Sequence, residues 1–527
     1  MLDMSRNGVM KVSEVCRFAD VVKSFGYNTL MLYTEETYEV ENEPYFGQYR
    51  GRYTQKELKD IVAYCENIGL EVIPCIQTLA HLESLFHWRH YHPIYDVEEV
   101  LLVGHERTYQ LIENMFKTLR ACVKTDRIHI GMDEAHMLGL GRYLQQNGYQ
   151  SPFDVLQKHL VRVLEIAKKY GFTPMMWSDM YFRLANGGAY YGKDIQIPEE
   201  VIAKQPKDVS LVYWHYYGMD EDLYRAMMQS HKKFGCEVWY AGGARSSDGF
   251  ASGNRFSIDS LRCAMQACKK EDVENVLITC WGDGGKDCSY WTLLPSLFAV
   301  RKFYDGEEDL AKISDEFERL TGESFSAMLD FDLPDRVAGN TGRKNPCKNM
   351  FYNDVFLGVL DSMVADGVCE EYEKHAKTLR AHAKNSRFAY IFDSSAKLCE
   401  FLAVKYDLGV QLRTAYQKGD RARLKKLVLT MATAEKRLKI FFEAFRKVWY
   451  RENKPHGFDI QEQRFGGLMN RLKCCRERVK DYLSGKVENI PELEEQVLDY
   501  YGNGLEFSKE PLLYNCWDYI TSVNKYR

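Results

Sequence analysis

The chain has 527 residues, 45% of them hydrophobic and 28% charged, with a net charge of −5. This is the composition of an ordinary globular protein of two or more domains, and it gives no electrostatic case for nucleic acid or an anionic membrane as partner. No apolar run approaches the ~20 residues of a membrane span, and Met1–Arg6 holds no apolar signal core. The 15 cysteines are odd in number and scattered without a Cys-x-x-Cys pair, which fits reduced thiols in a cytoplasmic protein better than a disulfide framework.

From residue 1 to about 304, strand-like and helix-like segments alternate. Leu2–Ser5 opens the series; an amphipathic helix follows near Lys11–Phe25, then a strand at Asn28–Tyr33. Thr54, with Glu57 three residues on, reads as a capping box for a helix that runs to Gly69. Leu70–Ile76 is the third strand. A long insertion, His81–Gly104, precedes a helix at Glu106–Val123. Arg127–Met132 is the fourth strand, Thr173–Trp177 the fifth, Val209–Trp214 the sixth, Glu237–Tyr240 the seventh and Val276–Trp281 the eighth. Helices fit at Phe153–Tyr170, Glu221–Phe234, Ser257–Lys270 and Trp291–Tyr304. Eight strands alternating with helices predict an α/β fold, a (β/α)8 TIM barrel over residues 1–304. The alternative, a doubly wound open sheet, lacks a Gly-x-Gly-x-x-Gly after any strand.

Beyond about 305 the pattern is helical only, with helices expected at Asn353–Val364, Glu370–Ala383, Ser394–Leu408, Asp420–Tyr450 and Gln461–Leu483. Residues 305–527 are therefore expected to form an all-α helical domain. The polar stretch Arg451–Phe458 between two of these helices reads as a capped turn; the alternative is a role over the barrel mouth or across a dimer interface.

The chemistry concentrates in Arg127-Ile128-His129-Ile130-Gly131-Met132-Asp133-Glu134, a short apolar strand that ends in two adjacent carboxylates. In a strand, His129, Gly131 and Asp133 share one face. Buried carboxylates this close split their pKa values, and a carboxyl that stays protonated is what a general acid needs. A bare Asp-Glu pair more often opens a helix, where the dipole favours acids; the strand context favours chemistry. Barrel active sites sit at the C-terminal strand ends. Read in order, those ends give Asp3 and Arg6, Glu35 and Glu36, Gln77 and His81, Asp133 and Glu134, Trp177 and Asp179, Trp214 and His215, Trp239 and Tyr240, and Trp281 and Asp283. Four of the eight tryptophans fall at consecutive strand ends and are expected to form an apolar cup for a sugar face. His87, His90 and His92 cluster in the insertion, but without a His-Glu-x-x-His neither a metal nor a cofactor is expected. No Gly-x-Ser-x-Gly supports a serine hydrolase.

These residues resemble the family 20 glycoside hydrolases, the β-N-acetylhexosaminidases. His129, Gly131, Asp133 and Glu134 match the family's His-x-Gly-x-Asp-Glu strand, and Asp3-Met4-Ser5-Arg6 resembles its first-strand Asp-x-x-Arg. His81, Trp239-Tyr240 and Trp281-Gly282-Asp283 fall where the family carries a histidine, a Trp-Tyr and a Trp-x-acid. The helical C-terminal region is similar to that of a bacterial intracellular subgroup. Three departures stand out. The barrel starts at residue 1 without the usual preceding α/β domain, as expected of a truncated chain or of one whose start is misassigned. Asp283 stands where many members have Glu, and Gly242 where many carry an acid or amide.

The resemblance implies an exo-acting, retaining enzyme that releases terminal β-linked GlcNAc or GalNAc from an oligosaccharide or glycoconjugate. The substrate's own 2-acetamido oxygen attacks C1 to give an oxazolinium ion, so the family is an exception to the two-carboxylate rule. Asp133 would hold the acetamido N–H, Glu134 would act as acid and then base, and Tyr240 would orient the acetamido oxygen. Trp177, Trp214 and Trp281 would wall the sugar, with Trp239 beside them. Arg6 and Asp283 would bind hydroxyls. His81 would tune Glu134, with Glu35 or Glu36 completing the relay, and Asp179 would support the site. The competing reading is a catalytically weak glycan-binding or interaction protein on a barrel scaffold. A homodimer through the helical region is compatible with the pattern, and no feature demands one.

Overall fold

Short β-branched and aliphatic runs make the strands, and parallel strands buried on both faces need helices to cover them. In the computed structural model, which describes residues 1–338, 340, 345–500, 502 and 524, eight parallel strands form one sheet. In chain order they are β1 (Leu2–Asp3), β2 (Thr29–Tyr33), β3 (Glu71–Cys75), β6 (Arg127–His129), β7 (Thr173–Trp177), β8 (Ser210–Trp214), β9 (Val238–Gly243) and β10 (Asn275–Thr279). A parallel bridge between Leu2 and Cys280 joins the first strand to the last and closes the barrel. β4 (Tyr95–Val97) and β5 (Val100–Leu101) form a separate antiparallel hairpin inside the insertion after β3.

The local signals act as their chemistry requires. Thr54 accepts from the Glu57 amide at 3.1 Å, and the Glu57 carboxylate accepts from the Thr54 amide at 2.8 Å. This capping box starts the helix Gln55–Asn67. β9 departs from expectation: it does not end at Tyr240 but runs on to Gly243. A Cβ at Gly242 would lie 2.4 Å from Leu261 Cδ2, and one at Gly243 2.9 Å from Tyr216 Cδ1. The glycine pair therefore continues the strand by giving up side-chain space to neighbours.

The chain divides into two compact units. The first comprises Met1–Ala244, Ser257–Trp281 and Leu297–Asp309, and contains the barrel. The second comprises Arg245–Phe256, Gly282–Ser296 and the chain from Leu310 onward. The last residues of the expected helical domain, to residue 527, lie largely outside the described residues. Long helices Arg421–Glu452 and Phe458–Ser484 dominate the second unit. Phe250, Phe351, Phe441 and Phe465 meet in its core, with ring centroids 5.0 to 6.3 Å apart. Glu452, the last residue of helix Arg421–Glu452 and part of the polar stretch, is buried and accepts from Ser289 Oγ at 2.7 Å and Tyr390 Oη at 2.9 Å.

Asn353–Val364 is not the expected helix. Helix Pro346–Tyr352 ends just before it. Asp354 Oδ1 then accepts from the amides of Phe356 (2.8 Å) and Leu357 (2.9 Å), and Asn353 Oδ1 accepts from Leu360 N at 3.0 Å. Such local side-chain acceptors offer the backbone an alternative to helix. Among the described residues no helix is long and apolar enough to cross a membrane.

A fully buried ion pair braces the turn after β10 within the second unit. Lys348 Nζ lies 2.8 Å from Asp287 Oδ2, and Gln461 Nε2 donates to Asp287 Oδ1 at 2.7 Å. Removing one partner of a buried pair leaves the other charge without compensation. Replacing Lys348 with Met should therefore destabilise the protein by about 3–5 kcal/mol, read from urea unfolding; a loss under about 1 kcal/mol would mean the pair is solvated.

Candidate active site at the strand ends

β6 stops at His129, and the backbone then folds sharply. Gly131 (φ 73°), Met132 (φ 74°) and Glu134 (φ 51°) all occupy the left-handed region. That is an outlier for two non-glycine residues, and such strain gathers at functional sites. Gly131 is required twice over, because a Cβ there would sit 2.0 Å from Gln77 Oε1 and 2.8 Å from the Ile76 carbonyl oxygen. The fold delivers Asp133 to a buried position and leaves Glu134 half-buried. Strand alternation ends at His129, so it is this turn, not the pleat, that places Asp133.

Both oxygens of Asp133 are engaged. Gln77 Nε2 donates to Oδ1 at 2.7 Å, and His81 Nε2 lies 3.2 Å from Oδ2. His81 Nε2 is also 3.7 Å from Glu134 Oε2, while its Nδ1 is 3.5 Å from Glu99 Oε2. Burial alone would discharge His81. The charge of Asp133 and hydrogen bonds to Asp133 and Glu99 outweigh it and hold the imidazole well above its usual 6.5. Burial likewise pushes Asp133 up, but His81 and Gln77 bring it below its usual value, so it stays ionised. The third member of the expected relay is Glu99, from the insertion. Glu35 instead accepts from Tyr33 Oη at 2.8 Å and pairs with Arg6 at 3.2 Å, while Glu36 pairs with Arg50 at 2.6 Å.

Glu134 has a second cation. Arg183 Nη2 donates to its Oε1 at 2.9 Å, and Arg183 Nε to Asp179 Oδ2 at 3.1 Å. The same Asp179 oxygen accepts from the Glu134 amide at 3.1 Å. Burial, with Asp133 and Glu134 nearby, pushes Asp179 up to about 7. Asp179 thus supports the turn from below. Arg183, one helical turn after it, was not singled out from the sequence; the Asp179/Arg183 spacing of four on a helix was the available signal.

The aromatic residues divide into two groups. Trp177 lies against His129 (4.3 Å between centroids) and Trp281 (6.1 Å), and Trp281 meets Tyr33 edge-on at 4.8 Å. Tyr216 stacks on Trp214 at 5.3 Å and lies 6.4 Å from Trp281, with Trp281 and Thr279 as polar neighbours of its hydroxyl. These rings join one another around the strand ends. Trp239 does not join them. It is the second residue of β9, its Nε1 donates to Glu237 at 3.0 Å and Arg127 lies over its ring, so it belongs to the N-terminal strand ends. Tyr240 does not join them either. Its ring is buried among Tyr213 (5.7 Å) and Tyr224 (5.9 Å), and its hydroxyl donates to the His215 carbonyl at 3.0 Å. It lies in the layer between strand and helix. Both corrections have one cause: β9 starts later and ends later than the sequence suggests, because its glycines extend it. Tyr216, two residues beyond Trp214, was not among the sequence candidates, yet its ring joins this group. Asp283 belongs to the second unit, where its carbonyl accepts from the Asp248 amide at 2.9 Å.

Residues 1–275 match the model of the glycosyl hydrolase family 20 catalytic domain, and residues 323–510 match the glycoside hydrolase 20C C-terminal domain. Hexosaminidase D of Homo sapiens is 26% identical over 254 residues, covering 45% of this chain and 49% of that protein. Hexosaminidase D of Bos taurus is 25% identical over 253 residues, covering 45% and 69%. The chain thus spans about half the length of the human relative. Among solved structures, the exo β-N-acetylglucosaminidase of Vibrio harveyi aligns at 16% identity and a TM-score of 0.45, covering 61% of this chain and 57% of that one. The chitobiase of Flavobacterium johnsoniae aligns at 13% and 0.48, covering 85% and 77%.

The electrostatics at Asp133 have a measurable consequence. His81 gains its partners on folding, so its contribution to stability is complete below pH 6.5 and is lost as the pH rises from there through its raised native value. Asp133 and Glu99 are held low, so theirs is complete above about 4.5 and lost as the pH falls. Replacing His81 with Gln should flatten the alkaline decline in the urea midpoint between pH 6.5 and 9. The same slope in the variant would mean that His81 is not charged in the native state.

Proposed function

The chain belongs to glycosyl hydrolase family 20, and from that premise we propose that it is an exo-acting β-N-acetylhexosaminidase. It would remove terminal β-linked GlcNAc or GalNAc with retention, through an oxazolinium ion formed by the substrate's own acetamide. The observation that carries this reading is the state of Asp133. A carboxylate nucleophile flanks the scissile bond about 5–5.5 Å from the acid. Asp133 has both oxygens engaged, by Gln77 and by His81, and is the immediate neighbour of Glu134. That arrangement suits an anion that accepts the acetamido N–H and stabilises positive charge as the ring closes, rather than one that attacks carbon.

Glu134 is the acid and base of this scheme. It is half-buried, with Arg183 donating to its Oε1 at 2.9 Å and His81 3.7 Å from its Oε2. It would protonate the leaving oxygen as the glycosidic bond breaks. The same group then removes a proton from the water that opens the oxazolinium ion. Trp177, Trp214 and Trp281 would wall the sugar and its methyl group. Tyr216, stacked on Trp214, replaces Tyr240 as the hydroxyl that orients the acetamido oxygen. Arg6 offers its planar donor fork to ring hydroxyls, anchored by Glu35. Holding the acetamide in attack geometry is an orientation effect worth up to about 7–11 kcal/mol in favourable cases.

The test is hydrolysis of p-nitrophenyl β-GlcNAc and β-GalNAc, with the plain β-glucoside as control. Activity is expected on the acetamido sugars only; a folded protein that cleaves neither would sink the proposal. Glu134→Gln should lower kcat by roughly 10²–10⁴-fold. Asp133→Asn and Tyr216→Phe should each lower it by roughly 10²–10³-fold, while Tyr240→Phe should stay within about tenfold. Equal losses at Tyr216 and Tyr240 would contradict the assignment of the orienting hydroxyl.

A further inference from the structure

Two loops leave the same ends of neighbouring strands β2 and β3 and carry a cluster of exposed rings that the reaction above does not use. Tyr49 is 75% exposed and Tyr45 41% exposed. Trp88 lies between them, 5.3 Å from Tyr45 and 6.0 Å from Tyr49, and the exposed His90 stacks on Tyr45 at 4.9 Å. Scattered exposed aromatics need no explanation, whereas a contiguous set marks a binding surface.

The platform is held firmly from beneath. Glu43, buried between the two loops, accepts from Arg107 Nη1 (2.7 Å) and Nη2 (2.6 Å), from Asn114 Nδ2 (2.9 Å) and from Tyr91 Oη (3.0 Å). Glu43 thus ties the loop that bears Tyr45 and Tyr49 to helix Glu106–Arg120 and to Tyr91 of the second loop, and such bracing lowers the ordering cost of binding. The platform is also continuous with the catalytic strand ends. The loop that carries Tyr45 and Tyr49 begins at Glu35 and Glu36 and returns through Arg50, which pairs with Glu36 and donates to the Ser5 carbonyl. The loop that carries Trp88 and His90 begins at His81, which touches both Asp133 and Glu134.

We propose that Tyr45, Tyr49 and Trp88 form a leaving-group subsite that stacks the pyranose rings of an oligosaccharide beyond the scissile bond. This rests on the reading of the face as a glycosidase site. In that reading the terminal sugar is enclosed by tryptophans, and Glu134 protonates the bridging oxygen from the more open side. The rest of the substrate must then extend over the rim. A pyranose has one face of C–H groups, which suits exposed aromatic faces, and hydroxyls at its edge, which suit the polar groups of His90 and the tyrosine tips. The histidine group of the insertion, which has no metal-site spacing, contributes His90 to this platform.

The experiment compares the full chain with its Tyr49→Ala and Trp88→Ala variants. One readout is kcat/KM on β-1,4-linked N-acetylglucosamine tetrasaccharide and on methyl β-GlcNAc, whose leaving group has no ring to stack. The other is calorimetric affinity of Glu134→Gln, alone and combined with each change, for the tetrasaccharide and for GlcNAc. Each alanine should lower tetrasaccharide kcat/KM and affinity by roughly 3–10-fold and leave the short substrate within twofold. Tyr49 is exposed enough that its removal should not disturb folding, so Tyr49→Ala decides if Trp88→Ala unfolds. Equal effects on long and short substrates, or no effect on either, would overturn the subsite. If the chain hydrolyses nothing, the enzymatic reading fails separately; the subsite still stands if tetrasaccharide binds Glu134→Gln more tightly than GlcNAc and Tyr49→Ala removes the difference, and falls if it does not.

Discussion

A carboxylate buried at the end of a barrel strand is the constraint from which the rest of this face follows. Taking an anion out of water costs several kcal/mol unless charge and hydrogen bonds replace the lost solvation. Asp133 meets that demand with Gln77 on one oxygen and His81 on the other. His81 in turn needs Glu99, and Gln77 needs the side-chain space that Gly131 leaves open. The left-handed turn after His129 is the path that brings the carboxylate to both partners. A protein that had to place a single acid would need none of this.

Much of this was legible in the sequence, for reasons particular residues show. The barrel followed from alternating periodicity, and the Asp133-Glu134 pair from its place after an apolar strand. His81 was recoverable because it follows a strand by only a few residues. Glu99 was not, because it reaches the site from within an insertion whose hairpin has no periodic signal. Arg183 stayed hidden for a different reason: an Asp and an Arg four apart on a helix are usually a surface pair, and only burial of Asp179 makes this one matter.

β9 shows where sequence reading misleads. Glycines are depleted from strands, and with the strand ended at Tyr240 the Trp239-Tyr240 pair looked like the mouth. The side chains that pack on those glycines come from Leu261 and Tyr216, far away in the chain. Local propensity holds no record of them. Moving the strand end by three residues transfers the orienting hydroxyl from Tyr240 to Tyr216 in our reading, and sends Trp239 to the opposite end of the barrel. Asn353 and Asp354 misled in the converse way. Apolar spacing around them is helical, but their own side chains capture the backbone amides that a helix would use.

The division of the chain has a consequence for how the protein is made. Residues 245–256 and 282–296 lie within the sequence of the barrel yet belong to the second unit. As the chain is synthesised, Asp287 emerges long before the residues that satisfy it: Gln461 follows 174 positions later. Until then its carboxylate stays in water, and the turn after the last barrel strand has no brace. The barrel strands can be complete while that turn is unfinished, so its final form depends on translation reaching the helical region. A ribosome that stalls before Lys348 would leave a nascent barrel whose last loop is still open to solvent.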